Sequence, residues 1–412
     1  MKRLLLICLL LTGLLTAQAQ SDSIAFDDAR GQLAERALGF LRQNQPDSIL
    51  ALLSAELRPV AKREMFDGVM AQVEQMAGAY QGHEPWTAKN LMGTDGYAAL
   101  LHFETMDLGL FVAFDEQLLL RGLQIIPAAM VSQSATAEAL ALPAGAVELD
   151  DTLWVTDRVR LPAVITMPAG ASAETPIVVM VHGSGALDRD ETVMVNKPFR
   201  DLAYLLAAQG IATLRYDKRT FVYRTPVDNM DDETIADALC ALRTARGMLN
   251  KVYLLGHSLG AMLAPAIASR TEIPLQGVIM MAGPARDLEQ VVRQQLDYLR
   301  PANAPATYEE DALAQLRQHS PHYLQPQNQV AVAQQLALPM LFLQGERDYQ
   351  VPMIDYRLWR QLLGERSNVT FHSYPKLNHL FLEGDGDSTP LEYSIEGHVP
   401  QYVVLDIARF CQ

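Results

Sequence analysis

Val252-Tyr-Leu-Leu-Gly-His-Ser-Leu-Gly-Ala-Met-Leu-Ala264 is the stretch that decides the fold. A short apolar run ends at Leu255. Gly256-His257-Ser258-Leu259-Gly260 follows, and an Ala-rich segment of helical character comes next. The glycine-x-serine-x-glycine pattern is common by itself. Between a strand and a helix it reads as a sharp elbow that presents the serine hydroxyl at the carboxyl end of a sheet. Bulky neighbours two positions away would collide in so tight a turn, which accounts for both glycines. The free N–H groups and dipole of the following helix favour negative charge there. Ser258 is therefore the candidate nucleophile, and the N–H of Leu259 a candidate donor to an oxyanion.

The same rhythm extends outward on both sides. Ile177–Val181, Ile211–Arg215, Val252–Leu255, Val278–Met281, Met340–Leu343 and Val369–Ser373 are apolar runs too short for helices. They alternate with helix-length segments such as Phe199–Gln209 and Asp232–Leu249. Runs of this kind suit strands buried on both faces, so the pattern predicts an α/β fold with a mostly parallel sheet covered by helices. Between Gly283 and Met340 the chain is far longer than a crossover needs. Asp287–Leu299 and Tyr308–Gln318 read as amphipathic helices, so a helical cap over the active-site edge is expected at about residues 284–338.

A serine hydroxyl needs a base, and the base needs an orienting acid. In such sheets the chain order is serine, acid, histidine. Asp348 lies just beyond the run ending at Leu343, and His379 just beyond the run ending at Ser373. Ser258, Asp348 and His379 thus come from three strand ends on one edge. Glu346 and Asp355 are rival acids; His372 and His398 are rival bases. His257 flanks the nucleophile, but an adjacent side chain points elsewhere. The second oxyanion donor is assigned to the N–H of Ser184, with that of Gly185 next in line, in His182-Gly183-Ser184-Gly185 after Ile177–Val181. No metal or organic cofactor is called for. His319-Ser-Pro-His322 reads as a lid turn, because Pro321 breaks any helix and no third ligand is evident. Glu383-Gly-Asp-Gly-Asp387 lacks the spacing of a calcium loop.

Upstream, residues 24–80 have helical periodicity, with Leu33, Ala37, Leu38 and Leu41 on one face and a second helix at Ile49–Leu57 capped by Asp47 or Ser48. Tyr97–Phe103, Gly109–Phe114 and Leu118–Ile126 read as an antiparallel meander. The expected organisation is a small α+β domain at 20–126, a linker at 127–145 and the α/β domain at 146–412. This first domain could bind a ligand, pair two copies of the chain or shield the active site; its residues do not choose among these. Met1-Lys-Arg3, the apolar Leu4–Leu15 and Ala17-Gln-Ala19 form a secretory leader, residues 1–19, too short in its apolar part for the roughly 20 residues of a membrane span. An exported, periplasmic or secreted protein without stable membrane insertion is expected.

The chain has 412 residues, of which 49% are hydrophobic, and a net charge of −15. A core-poor disordered chain is excluded, and a nucleic-acid partner would be repelled over most of the surface. Outside the leader only Cys240 and Cys411 remain, too few for a disulfide framework.

Several motifs together resemble the α/β-hydrolase superfamily: His182-Gly-Ser-Gly-Ala-Leu-Asp-Arg-Asp-Glu191, Asn196-Lys-Pro-Phe-Arg-Asp-Leu-Ala203, Arg215-Tyr-Asp-Lys-Arg219, Gly256–Gly260, Gly345-x-x-Asp348 and Asn378-His379. Within it they resemble a bacterial carboxylesterase branch related to the dienelactone-hydrolase and serine-aminopeptidase-like groups, over about residues 145–412. Residues 24–126 resemble a poorly characterised domain found ahead of such hydrolases in secreted bacterial proteins. The resemblance implies Ser258 as nucleophile, Asp348 as acid and His379 as base, acting on a small-molecule acyl ester. Peptide or thioester cleavage by the same triad is the alternative, with Glu191 or Glu346 available to capture a substrate amine. One departure stands out: relatives often follow the Arg215–Arg219 motif with a Gly-rich, Ser-ending turn, whereas this chain has Thr220-Phe-Val-Tyr-Arg224. That segment is expected to shape substrate choice. Asp188-Arg-Asp-Glu191 is read as a salt-bridge network that orders its loop.

Overall fold

The computed structural model describes residues 28–59, 61–91, 94–132, 140–225, 227–300, 306–325 and 328–412. The expected leader lies outside the described residues, as do residues 133–139 of the expected linker. The described residues fall into two compact units, divided between residues 136 and 137.

The first unit is α+β. Helix Asp28–Arg42 buries Ala37, Leu38 and Leu41 as the sequence predicts, but with Ala34 in place of Leu33, which is half-buried. The next helix is Pro46–Leu52, not Ile49–Leu57: Pro46 supplies the first turn without a side-chain cap, and Leu53 leaves the helix to bridge Leu120. Five antiparallel strands follow: β1 (Tyr80–His83), β2 (Thr87–Leu91), β3 (Thr94–Phe103), β4 (Leu108–Phe114) and β5 (Leu120–Pro127). The last three are the expected meander. β1 and β2 are short, largely polar strands that each pair with β3, so they carry little apolar alternation to read. The expected linker does not start at residue 127. A short helix, Ala128–Ser132, packs Met130 and Val131 against Ala98, Phe111 and Ile126.

The second unit carries an eight-stranded sheet. Its strands are β6 (Val147–Trp154), β7 (Arg160–Met167), β8 (Pro176–Val181), β9 (Ala212–Tyr216), β10 (Lys251–His257), β11 (Leu275–Met281), β12 (Met340–Gly345) and β13 (Val369–Tyr374). They lie in the order β13-β12-β11-β10-β8-β9-β7-β6. The run from β13 to β9 is parallel, and each of its strands is one that the apolar runs predict. β6 and β7 were not foreseen. They form an antiparallel hairpin at the edge, where β6 is mostly exposed and reads as an acidic loop, and where Pro162 interrupts the apolar reading of β7. Pro162 lies just outside the stretch of β7 paired with β9, and its carbonyl accepts from the Asp217 N–H.

Both faces are covered, which is why the central strands read as unbroken apolar runs. Helices Pro198–Ala207 and Gln401–Cys411 bury Phe199, Leu202, Val403 and Ile407 on one face. Helices Ala236–Met248, Leu259–Arg270 and Met353–Leu363 bury Ala241, Met262 and Trp359 on the other. The carboxyl ends of β8, β10, β12 and β13 share one edge of the sheet, and the candidate residues follow those ends.

Candidate active site

Ser258 sits between β10 and helix Leu259–Arg270, with φ 52° and ψ −117°. A residue other than glycine held there stores about 1–3 kcal/mol of backbone strain. The strain is stabilised on both sides: the Ser258 N–H donates to the Met281 carbonyl, and its own carbonyl accepts the Met262 N–H. A side chain at Gly256 would collide with the backbone of Gly260, and one at Gly260 with the carbonyls of Val181 and His182. Both glycines are therefore needed for close approach.

Asp348 and His379 meet as the sequence predicts. His379 Nδ1 lies 2.7 Å from Asp348 Oδ2, and both residues are buried. Asp348 is fixed by more than the histidine. Its Oδ1 accepts the N–H groups of Gln350 and Val351, each at 2.8 Å, and its Oδ2 also accepts from Gln344 Nε2 at 3.1 Å. Gln344 in turn donates to the carbonyls of Gly345 and Val351. On the histidine loop, Asn378 Oδ1 accepts the N–H groups of Leu380 and Leu382.

The rivals are engaged elsewhere. Asp355 is buried against Arg286 and the N–H groups of Ala285 and Arg286. Glu346 is exposed and accepts from the Ser373 hydroxyl. His398 pairs with Asp201, and His372 faces Asp406. His257 is tied into the site: its Nε2 donates to the His379 carbonyl at 2.9 Å, and its Nδ1 lies 3.1 Å from Glu191. Burial disfavours the charged form of His257, but Glu191 outweighs it and holds this imidazole above the ordinary histidine value. His182, buried beside Lys218 and Glu191, is pushed down to about 4, chiefly by burial.

The loop after β8 faces Ser258; a side chain at Gly183 would press on Ser258 Cβ at 3.2 Å. The Gly183 N–H is taken by Glu191 at 2.7 Å, and the Gly185 N–H reaches the Tyr323 hydroxyl at 3.5 Å. The N–H groups of Ser184 and Leu259 have no hydrogen-bond partner among the described residues. The Asp188–Glu191 network orders this loop: Arg189 forks onto Asp217, Asp190 pairs with Lys197 and Arg215, and Asp188 accepts from Thr192.

Ser184 and Ser258 open onto one cavity of about 430 Å³. Its apolar wall comes from the expected cap, through Leu288, Val291 and Val292 of helix Leu288–Tyr298 and Leu316 of helix Tyr308–His319. Arg293 clips the two helices together by pairing with Glu289, Glu309 and Glu310. The last helix of the insertion, Gln329–Gln335, packs on the helix after Ser258 instead of lining the cavity. His322 is buried, with Nε2 2.8 Å from Glu233. Thr220–Arg224 contributes less than expected. Only Thr220 lines the cavity, whereas Phe221 and Tyr223 are exposed and the Tyr223 hydroxyl bonds to the Arg160 backbone. Sequence reasoning missed Gln344, Lys218 and Glu233 and set His257 aside. Lys218 and His257 stood inside quoted motifs, but nothing local marked Gln344 or Glu233.

Residues 178–393 match the family model described as the alpha/beta hydrolase family. Esterase EstD of Thermotoga maritima is 42% identical over 270 residues, which are 61% of this chain and 65% of that protein. The chain thus spans just under two thirds of that relative's length. Among solved structures, the esterase Pf2001 of Pyrococcus furiosus aligns at 15% identity and TM-score 0.46, covering 64% of this chain and 89% of its own. Est1E from Butyrivibrio proteoclasticus aligns at 18% identity and TM-score 0.41, covering 65% of this chain and 97% of its own.

Proposed function

The chain belongs to the alpha/beta hydrolase family, and from that premise we propose that it is an exported serine esterase that cleaves short-chain acyl esters. The observation that carries the reading is the strained Ser258 elbow opening on a cavity, on the same sheet edge as a buried His379–Asp348 pair at 2.7 Å. The Nδ1–H of His379 is committed to Asp348, which leaves Nε2 free as the base.

In the proposed reaction Ser258 Oγ attacks the ester carbonyl as its proton passes to His379 Nε2. The oxyanion is met by the N–H groups of Ser184 and Leu259. Collapse expels the alcohol, which takes the proton from His379 and leaves an acyl-serine. Water then attacks, giving its proton to His379, and the carboxylic acid departs as Oγ is reprotonated.

Glu191 and Glu346 do not favour the peptidase alternative. Glu191 is buried against Gly183 and His257, and Glu346 is exposed and does not line the cavity. The carboxylate that does line it, Glu233, already faces Lys218, His322 and Tyr323. A substrate amine would have to displace one of these partners, so neutral esters fit best. The leader supports export, and among the described residues no helix is long and apolar enough to cross a membrane.

The test is a panel of p-nitrophenyl esters of increasing chain length given to the mature protein and to Ser258→Ala. The expected result is turnover of the short esters, falling about 10⁴-fold or more in the folded variant. Wild-type-like turnover by Ser258→Ala overturns the reading. Export is checked by recovering the protein outside the cytoplasm with Gln20 as its first residue.

A further inference from the structure

Three buried charges surround the loop after β8 and take no part in the proton relay: Glu191, Lys218 and Glu233, each 1–2% exposed. Burying such groups costs several kcal/mol each unless they are paired and hydrogen-bonded. Two of the three converge on one glycine. Glu191 accepts the Gly183 N–H at 2.7 Å, and Lys218 Nζ donates to the Gly183 carbonyl at 2.9 Å. Lys218 Nζ also lies 2.7 Å from Glu233 Oε1. Gly183 is thereby gripped at both polar atoms of its backbone by charges of opposite sign.

The consequence follows from peptide planarity. No cis peptide bond occurs in the described chain. The Gly183 carbonyl and the Ser184 N–H belong to one planar trans unit and point in opposite directions. Lys218 holds the carbonyl toward the interior, so the Ser184 N–H faces outward, and Ser184 lines the cavity beside Ser258. Were the unit to flip, a carbonyl dipole would face the developing oxyanion and repel it. A flip beside glycine is sterically cheap, so the backbone alone gives little protection against it.

We propose that Lys218 is a positioning residue that locks the Gly183–Ser184 peptide with its N–H aimed at the reacting carbonyl oxygen, and that Glu233 is the counter-ion that makes a buried ammonium tenable there. The assignment rests on the serine-esterase reading above. Burial pulls the Lys218 ammonium below the ordinary lysine range, and Glu233 and Glu191 offset part of that shift. Glu233 also ties the cap to the same hub, accepting the Tyr323 hydroxyl at 2.6 Å and facing His322 Nε2 at 2.8 Å.

The experiment uses two variants of the full mature chain, Lys218→Met and the double variant Lys218→Met/Glu233→Gln. The double variant removes both members of the Lys218–Glu233 pair, leaving neither orphaned, and so guards against simple unfolding. Each is assayed for p-nitrophenyl acetate turnover and for inhibition by an aryl trifluoromethyl ketone. Ser258 Oγ adds to that ketone carbonyl, its proton passing to His379, and the adduct carries the oxyanion charge. The expected result is a kcat about 10- to 100-fold lower with KM within threefold, at or just below what losing one oxyanion donor costs. Ketone affinity should fall by the same factor as kcat/KM, and circular dichroism should be unchanged. A folded double variant with wild-type kcat overturns the proposal. So does a loss of turnover with ketone affinity unchanged, because that assigns Lys218 a merely structural role. A wild-type protein that neither hydrolyses the ester nor binds the ketone overturns the esterase reading itself, and the proposal with it.

Discussion

The two halves of the site are built on different principles. The acid–base half is held by one carboxylate, Asp348, whose partners are His379, two backbone N–H groups and the neutral amide of Gln344. The loop opposite is held by full charges drawn from distant parts of the unit: Glu191, Lys218 and Glu233. The first half needs its acid aimed at one imidazole, and uncharged donors hold it there without forming a rival ion pair. The second half needs only a fixed backbone, and opposed charges grip a flexible glycine more firmly than neutral groups would.

The contrast can be broken from either side. Asp348→Asn removes the charge but keeps the shape, and kcat should fall about 10⁴-fold because the histidine loses its orienting acceptor. A loss under tenfold would mean that another acid serves. His182 tests the charged half through stability. Its folded pKa, about 4, lies below the ordinary histidine value of 6.5, so between those values the unfolded chain binds more protons. Stability should therefore be fully present above pH 6.5 and fall toward pH 4. His182→Phe, if it folds, should show a flatter Tm-against-pH profile in that window; an unchanged slope contradicts the assignment. Gln344→Leu keeps the volume and removes one of four contacts to Asp348, so kcat should drop only about tenfold, with KM unchanged. Smallest of all, Glu346→Gln should change kcat/KM less than about twofold, since this exposed side chain does not line the cavity.

What the sequence revealed follows the same division. Ser258 and Asp348 were legible because each follows a buried apolar strand, and His379 because it follows the half-buried edge strand β13; one sheet edge collects such positions. The central strands announced themselves for the same reason. β6 and β7 did not, because an exposed edge strand has no apolar pattern and Pro162 breaks the run of its neighbour. Glu233 lies in an acidic helical segment that looks solvated; only the fold brings it against Lys218 and His322. His257 was set aside because it flanks the nucleophile; its contact with the His379 carbonyl crosses 122 positions and has no local signature. Thr220–Arg224 was expected at the substrate, yet Tyr223 turns outward to the β7 backbone.

The most direct measurement is mass-spectrometric mapping of a fluorophosphonate adduct on the folded mature protein. A single adduct on the serine that follows β10, abolished in Ser258→Ala, is the predicted result. Folded protein that stays unlabelled, or that carries its label on any other residue, would contradict the account.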